Sequence, residues 1–321
     1  MNIFEYLGLD ENHRKLSNKV TQLVKHWDEV PASRKDGKDL IAQVKKDGVC
    51  SLAVIFDGNV TVFSRTGKRF TSMEFVEKNI ADLDLPEGVY FGEVWARKGV
   101  ASLEVVSGIV NPNRVNPLSG EQQDVANLLR FSIFDRVGIP AFIDGKSSVP
   151  FWCRFDALDG VFNPRIAHFV DLLFPYYVKN EAAIESHLEY LIDSGEEGIV
   201  IRDNDSDWLA GHKGWRAMKK VRGVDYDLKC IGYEEGTGKY EGKVANLIFK
   251  WKGGETIKCM LGKGWTHKMA YDMFCDIAMR NNTLSPIGKI FQVYALEESS
   301  KGKLRLPKVG EQRFDKEDSD V

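Results

Sequence analysis

The sequence predicts an α+β protein of two domains, in which the second domain is a small β-barrel. The chain has 321 residues, about the length of two ordinary domains. Beyond residue 40 most apolar segments are short and bounded by turn residues, a pattern typical of strands. We place the domain boundary near Gly223, which gives domains of residues 1–223 and 224–321.

The N-terminal segment, residues 1–38, is predicted to hold one or two short helices that pack on the first domain. Its apolar residues recur at helical spacing: Leu16, Val20, Leu23, Val24 and Trp27. The segment is too short to be a separate DNA-binding domain.

A hairpin is the clearest local prediction in the first domain. Asp57-Gly58 lies between two alternating segments, residues 51–56 and 59–64, and this dipeptide favours a two-residue hairpin turn. Strand patterns recur at residues 88–95, 131–135 and 198–202, and a helical pattern covers residues 182–193.

The second domain has the pattern of an OB-fold, a small barrel of short strands. Strands are predicted at residues 227–233, 243–251, 256–260 and 290–296, with a helix at 266–280. The acidic tail, residues 316–321, is predicted to be disordered.

Composition excludes several classes of protein. The net charge is −3, so any nucleic-acid surface must be a local basic patch rather than a global field. The most apolar stretch, residues 166–178, contains His168, Asp171 and Pro175, and is too short and polar to cross a membrane. The start of the chain has no signal-peptide pattern. The five cysteines are scattered and form no C-x-x-C pair, so we predict neither a disulfide framework nor a zinc site. This pattern favours a reducing, cytoplasmic environment.

Seven short motifs follow one another along the chain, and each alone is weak. In this order they resemble the motifs of the covalent nucleotidyltransferases, most closely those of the small ATP-dependent DNA ligases of phages and viruses. The motifs are Lys45-Lys46-Asp47-Gly48, Ser64-Arg65-Thr66-Gly67, Phe91-Gly92-Glu93, Ile133-Phe134-Asp135, Glu196-Glu197-Gly198-Ile199-Val200, Met218-Lys219-Lys220 and Arg313-Phe314-Asp315-Lys316.

The resemblance implies an adenylation (nucleotidyltransferase) domain followed by an OB-fold domain. It also implies ATP and Mg²⁺ or Mn²⁺ as cofactors and nicked duplex DNA as the partner of a monomer. Lys45 would be the nucleophile, because a lysine amine can attack the α-phosphate of ATP and hold AMP as a phosphoramidate. AMP would then pass to the 5′-phosphate of the nick, and the 3′-hydroxyl would displace it.

The nucleotide-binding residues follow from the same resemblance. Gln43 is two residues before Lys45 on a presumed strand, so both face the same side, and its amide could read the adenine. Val44 lies between them, and Phe134 resembles the aromatic residue that stacks on the base. Ordinary core packing is the alternative for Phe134.

Two carboxylates in apolar strands are predicted to bind the ribose or a metal. A lone carboxylate in such a strand requires a partner, and Mg²⁺ commonly takes one or two carboxylates plus phosphate oxygens. The first is Glu93. The second is Glu197, to which the resemblance also assigns a catalytic role. The adjacent Glu196 is the alternative, but the family pattern places glycine directly after the functional glutamate, which favours Glu197.

Phosphate and DNA contacts are assigned to basic residues. Arg65 would meet the 5′-phosphate of the nick, since a guanidinium pairs well with phosphate oxygens. Lys219 is assigned to catalysis and, with Lys220, to nucleotide binding. Arg313 and Lys316 would orient the β- and γ-phosphates. DNA contacts are also predicted for Lys213, Arg216 and Arg222.

The chain departs from the ligase pattern at two places. Similar ligases carry an arginine five residues after the nucleophile, where this chain has Cys50. They also show K-x-K where this chain has Lys219-Lys220, so Lys220 or Arg222 could be the second cation.

Three alternatives share part of this pattern. An RNA ligase and an mRNA capping guanylyltransferase have the same lysine motif, and the third alternative is a catalytically inactive nucleic-acid-binding protein. The S-R-T-G element and the leucine-arginine-x-proline sequence that precedes Arg313 favour a DNA ligase. Intact Lys45, Glu93 and Glu197 argue against the inactive protein.

Overall fold

The chain divides into two compact units, Met1–Val221 and Arg222–Val321. The computed structural model describes residues 1–9, 20–162, 167–221, 223–262, 264–295, 298–299 and 302–321. Within these residues, no helix is both long and apolar enough to span a membrane. All five cysteines are free thiols.

The first unit contains a five-stranded sheet in the order β4-β3-β5-β6-β8. Its neighbours are antiparallel except β6 and β8, which are parallel. Asp57 and Gly58 join β3 to β4 with φ of 49° and 70°, the left-handed values that a type I′ hairpin requires. The predicted hairpin is therefore confirmed. The strands are β3 (Val49–Phe56), β4 (Asn59–Ser64), β5 (Gly88–Trp95), β6 (Arg130–Val137) and β8 (Val170–Leu172).

A second five-stranded sheet has the order β1-β12-β10-β2-β9. Strand β10 lies between β2 and β12 and is antiparallel to both. Its strands are β1 (Leu23–His26), β2 (Leu40–Lys45), β9 (Tyr176–Tyr177), β10 (Gly198–Asp203) and β12 (Lys213–Val221). A separate two-stranded sheet pairs β7 (Lys146–Ser147) with β11 (Trp208–Leu209).

The helical prediction for the N-terminal segment is wrong in part. Leu23–His26 forms strand β1, parallel to β12, rather than the helix that its apolar spacing predicted. Leu23 pairs with Lys213, which lies 190 residues further along the chain, so local spacing does not reveal this partner. Short helical elements do occur nearby, at Ile3–Tyr6 (α1), Trp27–Glu29 and Ala32–Arg34. Leu16 lies outside the described residues.

Helices cover both faces of the first sheet and one face of the second. One core lies between the first sheet and residues of α2, α3, α4 and α6, and another joins the opposite face to α1 and α5. Helix α7 packs on the second sheet through Ile184, Leu188 and Leu191. The helices are α2 (Glu74–Ala81), α3 (Leu103–Ile109), α4 (Gly120–Ala126), α5 (Ile139–Ile143), α6 (Phe151–Asp159) and α7 (Glu181–Asp193).

The second unit is a closed barrel of strands in the order β13-β14-β15-β17-β16. Its core includes Leu228, Phe249, Trp251 and Phe291. The predicted barrel with an interposed helix is confirmed. Its elements are β13 (Val224–Glu235), β14 (Val244–Lys250), β15 (Thr256–Leu261), α8 (His267–Ala278), β16 (Ile290–Ala295) and β17 (Lys308–Gln312), with single turns at Gly238–Tyr240 and Lys252–Gly254.

The acidic tail is ordered, contrary to prediction. The amide of Asp320 donates to the carbonyl of Asp227 at 2.8 Å, and Val321 packs against the barrel core. Composition alone indicated disorder, but these contacts join positions more than 90 residues apart.

A buried ion pair fixes α6 to β6. Arg154 contacts both carboxylate oxygens of Asp135, at 2.9 and 2.8 Å, and the two side chains are only 4% and 2% exposed. Arg154 also donates to the carbonyl of Ser206 at 3.2 Å. Removal of the arginine would deprive a buried carboxylate of the guanidinium that contacts both of its oxygens.

We therefore expect Arg154→Met to lower the free energy of unfolding by about 3 to 5 kcal/mol, the usual cost of breaking a buried pair. The control is Arg69→Met, because Arg69 is 48% exposed and lies 3.9 Å from Glu77. It should cost less than about 1 kcal/mol. Urea denaturation measures both, and equal losses would show that the buried pair has no special importance.

Candidate active site

Lys45 is the last residue of β2 and lies opposite Gly198 of β10. Its Nζ donates to the carboxylate of Glu197, and the two side chains are 20% and 14% exposed. The adjacent pair Lys46–Glu196 makes a parallel contact, and Lys46 Nζ lies 4.5 Å from the ring centre of Trp95. The two lysines therefore take separate glutamate partners.

Two motif glycines are required because neighbouring strands come close. A Cβ on Gly198 would lie 2.4 Å from the carbonyl oxygen of Lys220, and its φ is 154°. A Cβ on Gly48 would lie 2.5 Å from the carbonyl oxygen of Val94 and 2.7 Å from Cγ of Glu93. These glycines let β10 approach β12, and let the turn after Lys45 approach β5, which carries Glu93.

Glu93 shares an electrostatic environment with Lys45 and Glu197. The pKa of Glu93 is raised to about 8, chiefly by burial; the charges of Glu197 and Asp47 act in the same direction, and those of Lys45 and Arg65 in the opposite one. A bound cation would stabilise the ionised form of a carboxylate in this environment. The resemblance had predicted a metal or ribose contact for Glu93, and the structure brings it to the Lys45 site.

The carboxylates fit a magnesium ion that also binds phosphate. Among the described residues, no group of three or more His, Cys, Asp or Glu side chains could hold a metal by itself. Mg²⁺ usually takes one or two carboxylates and completes its shell with water and substrate phosphates. Glu93 and Glu197 supply that number of carboxylates.

Lys219 and Lys220 point to different surroundings, as neighbours on a strand do. The pKa of Lys219 is lowered chiefly by burial and then by the charge of Lys45, and Glu197 acts in the opposite direction. Lys220 instead contacts Glu185 of α7, and Glu181 lies 4.0 Å away. The prediction that Lys220 binds the nucleotide stays a prediction; in this structure its ammonium pairs with Glu185 of α7.

The residues predicted to surround the base are brought together around an arginine that sequence reasoning missed. Gln43 is 1% exposed, and its amide nitrogen donates to the carbonyls of Phe134 and Leu173 at 3.1 and 2.6 Å. Its oxygen accepts from Arg202 Nε at 3.2 Å. Both amide hydrogens of Gln43 are thus used within the protein. A direct contact of Gln43 with adenine stays a prediction, and it would have to use the second lone pair of the amide oxygen.

Arg202 is 5% exposed and lies 5.4 Å from the ring centre of Phe134. Phe134 is half-buried, and the side chain of Val44 packs toward the core beneath α7. The signal for Arg202 was available, because a charged residue in an apolar strand requires a partner.

Arg202 also bears on the cysteine that replaces the usual arginine. The pKa of Cys50 is raised to about 12, chiefly by burial; Glu93 acts in the same direction, and Arg65, Lys45 and Arg202 in the opposite one. Positive charge is thus present around position 50 although the side chain there is a thiol.

The residues predicted to contact DNA differ in their exposure and in whether they already have an acidic partner. Arg65 is exposed on the turn that follows β4, where the hydroxyls of Ser64 and Thr66 lie 3.0 Å apart. Lys213 is exposed, whereas Arg216 makes a two-point contact with Asp207 at 2.6 and 2.9 Å. Arg222 lies outside the described residues.

Arg313 and Lys316 lie in the second unit, beyond β17. Both contact the carboxylate of Asp227, at 2.8 and 2.5 Å. Their predicted role toward the β- and γ-phosphates is untested by these contacts.

Comparison with known proteins identifies relatives of both units. The family described as ATP dependent DNA ligase domain matches residues 21–221, and that described as DNA ligase OB-like domain matches residues 235–313. The predicted fold, an adenylation domain followed by an OB-fold, is confirmed.

Two curated relatives illustrate the sequence similarity. A probable DNA ligase of Streptomyces griseus is 27% identical over 72% of this chain and 47% of the relative. A DNA ligase of African swine fever virus is 25% identical over 67% of this chain and 49% of the relative. The chain therefore spans about half the length of these relatives.

Two solved structures share the fold. A Lig E DNA ligase, studied for DNA binding with a minimal scaffold, has a TM-score of 0.67 at 18% identity and covers 91% of this chain and 98% of its own. The ATP-dependent DNA ligase of bacteriophage T7, in complex with ATP, has a TM-score of 0.51 at 14% identity, with 92% and 98% covered.

The raised pKa of Glu93 predicts how stability depends on pH without metal or nucleotide. The folded protein keeps a proton that the unfolded chain releases above its model value of 4.5, so stability should fall as pH rises towards 8. One proton gives a slope of at most about 1.4 kcal/mol per pH unit.

Glu93→Gln should remove this slope and become increasingly more stable than the parent between pH 5 and about 8. Chemical denaturation in EDTA measures the difference. The control is Glu189→Gln, which changes an exposed residue of α7. A parent and a Glu93→Gln variant with parallel pH profiles would mean that Glu93 is ionised throughout.

Proposed function

Because the chain belongs to the ATP-dependent DNA ligase family, we propose that it uses ATP to join the 3′-hydroxyl and 5′-phosphate of nicked duplex DNA. The observation that carries the proposal is the grouping of Lys45, Glu93, Glu197 and Lys219 at one place in the first unit. Nucleotidyl transfer to lysine needs a nucleophilic amine and groups that position the phosphates and neutralise their charge, and a carboxylate pair that can hold Mg²⁺ together with a second amine can serve that purpose.

In the first step, Lys45 Nζ attacks the α-phosphorus of ATP. A nitrogen–phosphorus bond forms, the bond from that phosphorus to the pyrophosphate oxygen breaks, and the amine loses a proton. Glu197 contacts this nitrogen and is placed to take the proton as general base. The products are lysyl-AMP and pyrophosphate.

The remaining residues bind and orient the phosphates. Lys219 lies close enough to Lys45 to neutralise charge on the triphosphate, and Arg313 and Lys316 supply cations from the second unit. A bound Mg²⁺ held by Glu93 and Glu197 would withdraw charge from the phosphate oxygens. Catalysis of phosphoryl transfer depends mainly on such positioning and neutralisation.

The second and third steps transfer AMP to the DNA and release it. The 5′-phosphate oxygen of the nick attacks the lysyl-AMP phosphorus, which breaks the nitrogen–phosphorus bond and frees Lys45. The 3′-hydroxyl then attacks the 5′-phosphate and AMP leaves. Arg65 is exposed beside the site and would hold the 5′-phosphate through its planar guanidinium.

The base and ribose would be held beside Lys45 by the Gln43–Phe134–Arg202 group. Phe134 supplies an aromatic face, and Gln43 ties the backbone of β6 to β2. Arg202 supports both side chains. Gln43 thus has a positioning role whether or not it also contacts the adenine.

The first test of this function compares two adjacent lysines. Lys45→Ala should give no protein–AMP adduct with labelled ATP and Mg²⁺, because the nucleophile is gone. Lys46→Ala loses a neighbouring ammonium that pairs with Glu196 rather than Glu197, and should keep adduct formation within about tenfold of the parent. Denaturing electrophoresis measures the label.

Equal labelling of parent and Lys45→Ala would exclude Lys45 as the nucleophile. Labelling of the parent by GTP but not by ATP would favour a capping guanylyltransferase instead. A parent that forms no adduct with ATP, GTP or NAD, yet binds nicked DNA, would favour the inactive binding protein.

The second test separates the first step from the last. Arg313→Ala and Lys316→Ala should form lysyl-AMP at least about tenfold more slowly, since each loses a charge-assisted contact with the leaving pyrophosphate. Both should seal a nick that already carries 5′-AMP nearly as well as the parent. Equal losses on both substrates would mean that these residues hold DNA or only support the barrel.

A further inference from the structure

Asp227 lies at the centre of a charged cluster on the barrel. It is in β13 and is only 7% exposed. Its Oδ2 accepts from Arg313 Nη1 at 2.8 Å and from Lys316 Nζ at 2.5 Å. Its Oδ1 is buried and has no hydrogen-bond partner within the described residues. Compensation of this buried charge therefore depends on Arg313 and Lys316.

Residues near the C-terminus make hydrogen bonds with both the backbone amide and the backbone carbonyl of Asp227. The amide of Asp227 donates to Asp320 Oδ2 at 2.6 Å, and the amide of Asp320 donates back to the carbonyl of Asp227 at 2.8 Å. Ser319 Oγ also donates to that carbonyl at 3.3 Å. Residue 227 is thus fixed by main-chain bonds that do not involve its carboxylate.

Each of the two cations has a further acidic partner. Arg313 contacts both carboxylate oxygens of Asp315, at 2.9 and 2.7 Å, and Lys316 lies 3.5 Å from Asp320. Asp315 and then Asp227 raise the pKa of Arg313, and a hydrogen bond to Asp227 is the largest cause of the raised pKa of Lys316. These donors are engaged before any phosphate arrives.

A polyphosphate would bind through the same two cations that Asp227 contacts. The side chains of Arg313 and Lys316 are 29% and 38% exposed, so a ligand can reach them from solvent. Their departure would leave the Asp227 carboxylate buried without a counter-charge, which is costly. Binding of phosphate by either cation must therefore offset the loss of this contact.

We propose that Asp227 is a positioning residue that holds Arg313 and Lys316 on the barrel and competes with the triphosphate of ATP for them. The link to ATP rests on the proposed function, whereas the competition itself concerns any polyphosphate. Asp227 thereby weakens triphosphate binding in the free protein and returns both cations to a fixed position after pyrophosphate leaves.

The test measures binding of inorganic triphosphate to the full chain by titration calorimetry. Asp227→Asn keeps the size of the side chain and the main-chain bonds to Asp320, but removes the charge. It should bind triphosphate about threefold to tenfold more tightly, the range expected for two partly exposed ion pairs. Adding Arg313→Ala and Lys316→Ala to this variant should abolish the gain.

The matched control is Asp225→Asn on the same strand. Asp225 accepts from Gln292 Nε2 at 3.0 Å, so its replacement removes the same charge near the same surface without touching the cluster. Its triphosphate affinity should stay within about twofold of the parent. An equal gain in both variants would overturn the proposal as a general charge effect.

No gain in Asp227→Asn would also overturn it, as would a gain that persists without Arg313 and Lys316. If Asp227→Asn unfolds early, Asp320→Asn provides a second variant, because it loosens Asp227 and removes a partner of Lys316. It should bind triphosphate about threefold more tightly than Asp225→Asn does, and an affinity equal to that of Asp225→Asn would then overturn the proposal.

Labelling with ATP on the same preparations separates the two hypotheses. An adduct in the parent without any affinity gain in Asp227→Asn keeps the ligase function and rejects the competition. An affinity gain without an adduct in the parent keeps the competition and rejects the function.

Discussion

The contact between Lys45 and Glu197 depends on the pairing of β2 with β10, and the rest of the candidate site is arranged around it. Antiparallel register places Lys45 opposite Gly198, so the residue before that glycine can reach the amine. Any side chain at Gly198 would strike the backbone of β12, which carries Lys219. The positions of Lys45, Glu197 and Lys219 are therefore set by the pairing of the three strands β2, β10 and β12.

Charge in this chain is organised by pairing rather than by excess. The net charge is −3, yet cations gather where buried carboxylates lie. Glu93 and Glu197 face Lys45, Asp135 faces Arg154, and Asp227 faces Arg313 and Lys316. A buried carboxylate is costly without a partner, so each one fixes a cation in place. A phosphate could also bind the cations of two of these groups, namely Lys45 and the pair Arg313 and Lys316.

Local pattern predicted the elements whose partners are near in sequence. The β3–β4 hairpin is predicted by Asp57-Gly58, and the helical pattern over residues 182–193 predicts the helix that forms at Glu181–Asp193. The wrong predictions concern long-range partners: β1 pairs with β12, and the tail binds β13. In the site, the ordered motifs located Lys45, Glu93, Glu197 and Phe134, whose roles stay predictions. They did not locate Arg202, and only the fold shows that Lys220 pairs with α7.

The replacement of K-x-K by two adjacent lysines has a structural consequence. Residues two apart on a strand share a face, so K-x-K directs both ammonium groups to the same site, whereas adjacent lysines diverge. Here Lys219 lies near Lys45, and Lys220 is bound by Glu185. Lys220 is thus engaged by α7 rather than by the group around Lys45. Neutralisation of a triphosphate would then depend more heavily on a metal at Glu93 and Glu197, and on Arg313 and Lys316. Because Asp227 already engages those two residues, their release would then contribute to triphosphate affinity, as proposed above.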